Sequence, residues 1–449
     1  MASDRRNLFW TLAHIVLGFL CTLTPFALII WFYFILATNL AKSLNLLSEK
    51  KPTFFLMLFS YLISFEVLDR MAKTSPFIPY ELGKYFLVLM GVLGILYLGV
   101  RSQMGILMAI LITPALFYDF SGQRNQFDII NYLLGPLAVG LGLAFADQFP
   151  ISKIALNQIL KFVFWGCLAS LTYTYILTPD FEDIEFSLKA NFDTTAGHSS
   201  NQVSTVLGLG MFLVFYSLFN GLNFSGNRIF DGIILAGFTF QGLISFSRGG
   251  MMVGALGVVL ILFLPEVGYR IKQGVRSHRS MLIGFVAMIS LYGIFEAANA
   301  ITGGNLLLRY QGETQGTVLG SKEITADHFV TGRLVILEKD FALWLDHPIT
   351  GVGVGVSKYL RDPENESIVA AHVELSRLIA DHGLLGFMFA FIFFKKPRDN
   401  WKLNKNSMHR NILFVLLIIA IATTFHAAMR TFITPLFMIL GSFKIKETQ

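Results

Sequence analysis

Apolar residues fill this chain in runs of bilayer length, broken by short polar connectors and by one long polar interruption late in the sequence. A helix needs ~20 mainly apolar residues to cross the hydrocarbon core, because its backbone polar groups must be satisfied within the segment. That rule predicts spans at 53–68, 82–100, 104–119, 128–147, 156–178, 202–220, 230–246, 249–265, 281–298 and 371–394. The run 8–37 is either one long tilted helix or two broken near Thr24-Pro25, and 412–443 is again one or two, interrupted by His426 and Arg430. The total is about 12–14 transmembrane helices. The expected fold class is an all-α polytopic membrane protein, a single integral membrane domain over residues 1–449 with no internal repeat.

The polar interruption runs over 309–386 and organises the rest. Thr331-Gly332-Arg333 opens an amphipathic segment in which Leu334, Leu337, Phe341 and Trp344 recur at helical spacing, so one apolar face should lie against something greasy. His347-Pro348 ends it, since proline disfavours helical geometry in the residue before it. Gly351, Gly353 and Gly355 then allow a tight turn or close approach to a ligand. The chain re-enters an apolar helix at Ala371-His372 and passes Asp381-His382-Gly383-Leu384-Leu385-Gly386.

Composition supports the membrane reading: 54% of residues are hydrophobic and 14% charged, with mean hydropathy +0.61, against about a quarter charged in soluble domains. The net charge of +6 comes largely from basic connectors, which topology explains better than nucleic acid does. Cys21 and Cys167 sit in apolar runs and form no disulfide framework. Arg5 and Arg6 precede an apolar run too long for a cleaved signal, so the first span is expected to be retained.

Charge also orients the chain. The connectors 266–280 and 395–410 are rich in lysine and arginine and should be cytoplasmic, whereas 179–200 and the large loop 299–370 carry more acids than bases and should be external. The hairpin Ser247-Arg248-Gly249-Gly250 then shares the external side with Arg309, Arg333 and His372. A lone arginine at a helix end usually snorkels to the interface. A convergent set of cations instead makes an anion site, and the guanidinium fork suits phosphate oxygens. At a membrane surface that anion is a lipid-linked diphosphate. His372 has the chemistry to take a proton from a sugar hydroxyl. Glu374 and Arg377 are three residues apart and can pair, and a structural ion-pair role suits Glu374, Arg377, Asp381 and His382. His198 and Asn201 open another external span. The acids Asp180, Glu182, Asp183 and Glu185 read as a solvated face rather than a metal site.

Ser247-Arg248-Gly249 before an aliphatic run, Gly332-Arg333 leading to Trp344, His347-Pro348-Ile349-Thr350-Gly351-Val352-Gly353, and Ala371-His372 with Asp381-His382-Gly383 together resemble the O-antigen ligase family, which includes O-antigen polymerases. The resemblance covers about 200–390. It implies a C-type glycosyltransferase fold with a large periplasmic loop between late helices, in a bacterial inner membrane. It further implies transfer of a glycan from undecaprenyl diphosphate to a glycolipid or glycan acceptor such as lipid A-core, with no metal, cofactor or nucleic acid. By matching positions, Arg248 and Arg333 would hold the donor diphosphate, Arg309 would occupy a looser arginine position, and His372 would be catalytic. Asn201, His198 and Glu374 are further candidates for substrate contact. One departure is Val373, where the family commonly has a polar residue after the histidine. A polymerase of the same fold is the alternative; a transporter or flippase fits less well, because the paired repeats such proteins often show are missing.

Overall fold

The computed structural model describes residues 2–264, 277–321, 333–362, 373–405, 407 and 409–446. Its helices in chain order begin with α1 (Ala2–Leu23), α2 (Phe26–Ser48), α3 (Thr53–Ile63), α4 (Glu66–Ala72), α5 (Leu82–Leu98), α6 (Gln103–Leu111) and α7 (Gln126–Ala146). They continue with α8 (Lys153–Ile176), α9 (Ser200–Asn220), α10 (Arg228–Ile244), α11 (Arg248–Phe263), α12 (Ser277–Ile301), α13 (Asn305–Tyr310) and α14 (Gln315–Val318). The last are α15 (Arg333–Asp346), α16 (Ser357–Leu360), α17 (Glu374–Leu403), α18 (Arg410–Thr423) and α19 (Ile433–Gly441). The strands β1 (Pro150–Ser152) and β2 (Lys444–Lys446) pair in parallel, Ile151 opposite Ile445. The chain is an all-α polytopic membrane protein: among the described residues, 6 helices are long and apolar enough to cross a membrane.

Where the pattern left one helix or two, the structure has two in both places. Thr24-Pro25 separates α1 from α2, and the tail divides into α18 and α19 around His426 and Arg430. Several expected spans are shorter than a bilayer-crossing helix, among them α5 with 17 residues and α11 with 16. The run expected at 53–68 splits into α3 and α4, and the loop 299–370 carries α13, α14, α15 and α16 within its described parts.

The chain forms two compact units. The first comprises Met1–Asn45, Thr53–Tyr80 and Ile154–Phe329. Its centre is α9, whose apolar window is 94% buried. A Cβ on Gly250 of α11 would meet the Ser204 carbonyl oxygen at 2.3 Å, so α9 and α11 touch backbone to backbone. Farther along the same contact, Gly254 abuts the carbonyl of Gly208.

The second unit comprises Leu46–Pro52, Glu81–Lys153 and Val330–Gln449. Here α7 is packed by α5, α6 and α19, and α17 breaks at Gly383, where φ is 59°. The break is filled by the glycine loop. Val352 N–H donates to the Ala380 carbonyl at 2.9 Å, Gly353 N–H to Asp381 at 3.0 Å, and Leu384 N–H to Pro348 at 2.8 Å. Non-helical backbone at membrane depth survives only where protein satisfies it in this way. The close approach expected of Gly351 and Gly353 is therefore to the protein's own backbone, at Asp381 and Tyr118, and that of Gly355 is to the side chain of Tyr132.

In α15 Leu334, Val335, Leu337, Phe341 and Leu345 are exposed, and the buried residue is Asp340. The helix thus docks through a carboxylate and leaves its apolar face largely uncovered by protein, as an interfacial helix does.

Candidate functional site

In the first unit the chain turns sharply between α10 and α11, with Phe246 in the left-handed region at φ 55°. The glycine contact between α9 and α11 draws this turn onto the start of α9. Ser247 Oγ donates to Asn201 Oδ1 at 2.9 Å and accepts from Ser204 Oγ at 2.9 Å. Arg248 follows at once as the first residue of α11. Its guanidinium donates to the main-chain carbonyl of Arg309 at 2.7 Å, and Arg309 Nε donates to the Phe246 carbonyl at 3.5 Å. Both arginines are buried, each 7% exposed.

An apolar cluster of Leu243, Ile244, Phe246, Ala298 and Leu306 lies in this region, with Phe295 and Tyr310 packed against it. Burial pushes the Tyr310 phenol above its ordinary range while Arg248 and Arg309 pull it back, so the hydroxyl stays neutral. Two guanidiniums beside the N-terminus of a 16-residue helix make a setting for a multiply charged anion.

The same end of α9 holds a further group that the sequence reading passed over. Arg70 donates to Gln202 Oε1 at 2.7 Å, to Glu66 Oε1 at 2.9 Å and to the Tyr80 carbonyl at 2.9 Å, and it stacks on the Tyr80 ring. The signal was there: Glu66, Asp69 and Arg70 are charged residues continuing an apolar run, which is costly unless they are paired or functional. His198 lies in this cluster. Burial, then the Arg70 charge, lowers its imidazole below the usual histidine range, although Gln202 opposes the shift. Its Nε2 has no hydrogen-bond partner among the described residues.

The second unit treats its charges differently. Arg377 is clamped between Glu374 and Asp381, at 2.6 Å from Asp381, over the ring of Tyr132. Glu374 also accepts from the Met429 N–H at 3.2 Å, and Asp381 accepts from Gly355 N–H at 2.9 Å and Ser357 N–H at 3.2 Å. Arg361 pairs with Asp340 at 2.7 Å, and Ser376 Oγ donates to the same carboxylate at 2.6 Å. Glu374, Asp381 and Asp340 are therefore the carboxylates of a buried network, in which Asp381 fastens the glycine loop and Asp340 fastens α15 to α17.

The structure thus brings Arg248, Arg309 and Asn201 together, with His198 attached through Gln202 and Arg70 at the same end of α9. Arg333 is the half-buried first residue of α15, in the second unit. His372 lies outside the described residues.

No curated protein matches the chain. Residues 233–391 match the family described as O-antigen ligase, a stretch that contains Arg248, Arg309, Arg333, His372 and Glu374, whereas His198 and Asn201 precede it. Over this stretch, about a third of the chain, the protein is similar to the O-antigen ligase family.

Proposed function

We propose that the protein transfers a glycan from undecaprenyl diphosphate to an acceptor such as lipid A-core, on the periplasmic side of a bacterial inner membrane. The family match over residues 233–391 supports the coarser statement, a glycosyltransferase-like membrane enzyme of O-antigen ligase or polymerase type. The observation that carries the finer reading is the pair Arg248 and Arg309, buried together at the start of α11. The orientation rests on the basic connectors 266–280 and 395–410, which belong inside.

In the reaction an acceptor hydroxyl oxygen forms a bond to the anomeric carbon while the bond from that carbon to the diphosphate oxygen breaks. The diphosphate leaves with the electron pair, and its developing charge falls to Arg248 and Arg309. The acceptor proton passes to His372 as general base. The roles of His372 and Arg333 rest on the family motifs alone. Because the leaving group is already activated, no metal or cofactor is needed.

Transfer by purified enzyme from a radiolabelled lipid-linked glycan tests this. The wild type should work in excess EDTA, and His372→Ala should lose about 10²–10⁴-fold in rate while still binding donor. Metal-restored turnover after EDTA, or near-normal rates in both His372→Ala and Arg248→Ala, would overturn the assignment.

A further inference from the structure

A second site lies within the first unit. A cavity of about 380 Å³ opens among α1, α2, α3 and α8, within the range of small-molecule pockets. Asn7, beside it, donates to the Asn223 carbonyl at 3.2 Å. Asn223 follows the C-terminal end of α9, whereas Asn201 and the Arg248 cluster sit at its N-terminal end. At 1.5 Å per residue, the length of α9 separates the two places by roughly 30 Å.

The chemistry of the wall is divided. Arg6 and Lys161 line the cavity, close enough for their charges to repel, and Lys161 donates to Asn7 Oδ1 at 2.9 Å. Among the described residues that line it there is no carboxylate. Phe54, Met57, Leu58 and Ile35 supply an apolar side. Deeper polar groups are already engaged: His14 bonds Tyr61 Oη at 2.7 Å and the Trp10 carbonyl at 2.6 Å, and it stacks on Trp165. A ligand that fits must therefore place its charge at Arg6 and Lys161 and its hydrocarbon against the apolar lining.

We propose that this cavity binds an anionic phospholipid, with the headgroup phosphate on Arg6 and Lys161 and an acyl chain along Phe54 and Met57. Two neighbouring cations without an acid among the lining residues are an unfavourable arrangement that a phosphate relieves, and basic pockets between membrane helices hold anionic headgroups in this way. On the orientation proposed above the lipid belongs to the cytoplasmic leaflet. The site itself does not depend on that orientation or on the transfer reaction.

The test uses full-length protein, stripped of lipid in neutral detergent and titrated with phosphatidylglycerol or phosphatidylcholine, with bound lipid read by native mass spectrometry. Phosphatidylglycerol should be retained in preference and should raise the melting temperature. Arg6→Gln, at an exposed position, and Lys161→Gln should each weaken phosphatidylglycerol retention roughly fivefold without changing phosphatidylcholine. Arg248→Gln should leave it intact. Equal retention of the two lipids, or an Arg6→Gln variant that keeps the wild-type preference, would overturn the proposal. Complete displacement by millimolar inorganic phosphate would show a free-anion site instead, and loss of lipid in Arg248→Gln alone would place the lipid at the transfer site.

Discussion

In the first unit Arg248 and Arg309 are oriented by main-chain carbonyls, whereas in the second unit Arg361 and Arg377 lie against Asp340, Glu374 and Asp381. All four guanidiniums are buried, yet the contacts that hold them differ. A carbonyl fixes the direction of a guanidinium. A carboxylate cancels its charge and makes the pair a staple, stable only while both partners are present. Arg70, paired with Glu66, shows the second arrangement beside the first within one unit. Depth of burial alone therefore does not separate these arginines, since all four are buried in both units.

The largest effect should come from cutting a staple. Asp381→Ala leaves Arg377 facing Glu374 alone and frees the Gly355 and Ser357 N–H groups, and it should cost about 3–5 kcal/mol of stability. Thermal unfolding in detergent should show the loss, and an unchanged melting temperature would erase the distinction between the units.

Next in size is Arg248→Lys. The charge stays but the fork is lost, so transfer should drop about 10²-fold or more with the melting temperature unchanged. An arginine that merely snorkels would accept lysine, and wild-type transfer at matched expression would assign Arg248 to that group.

Gly250→Ala sharpens the comparison by moving the site without touching its chemistry. The new Cβ would strike the Ser204 carbonyl, and overpacking of that kind costs about 1–3 kcal/mol. Because it shifts Ser247 away from Asn201, transfer should fall together with stability. Full activity in a destabilised Gly250→Ala protein would mean that the placement of Arg248 tolerates movement.

The smallest effect concerns acid. His198 has its folded-state pKa below the ordinary histidine value, because burial and then Arg70 disfavour its protonation. The unfolded chain therefore takes up this proton first as the pH drops. Stability present above the ordinary histidine range should fall as pH is lowered from that range toward the depressed pKa, then level off. His198→Gln should remove this slope, and a variant with the same acid profile as the wild type would take His198 out of the cluster.

The membrane class, most helix positions and the arginines worth testing were legible in the sequence, because bilayer crossing demands long apolar runs and makes each charge within or beside them conspicuous. The pairing of Glu374 with Arg377 was legible too, since three residues on a helix bring side chains together. Tertiary structure alone decided the rest. Spacing could not show that the glycine loop fills the break in α17, that α15 docks through Asp340, or that Arg70 reaches Gln202 across 132 positions of chain. Those contacts depend on which backbones pack closely enough to touch, as α9 and α11 do at Gly250. Local pattern sets which residues face away from lipid. Only packing sets which of them meet a carboxylate and which meet a carbonyl.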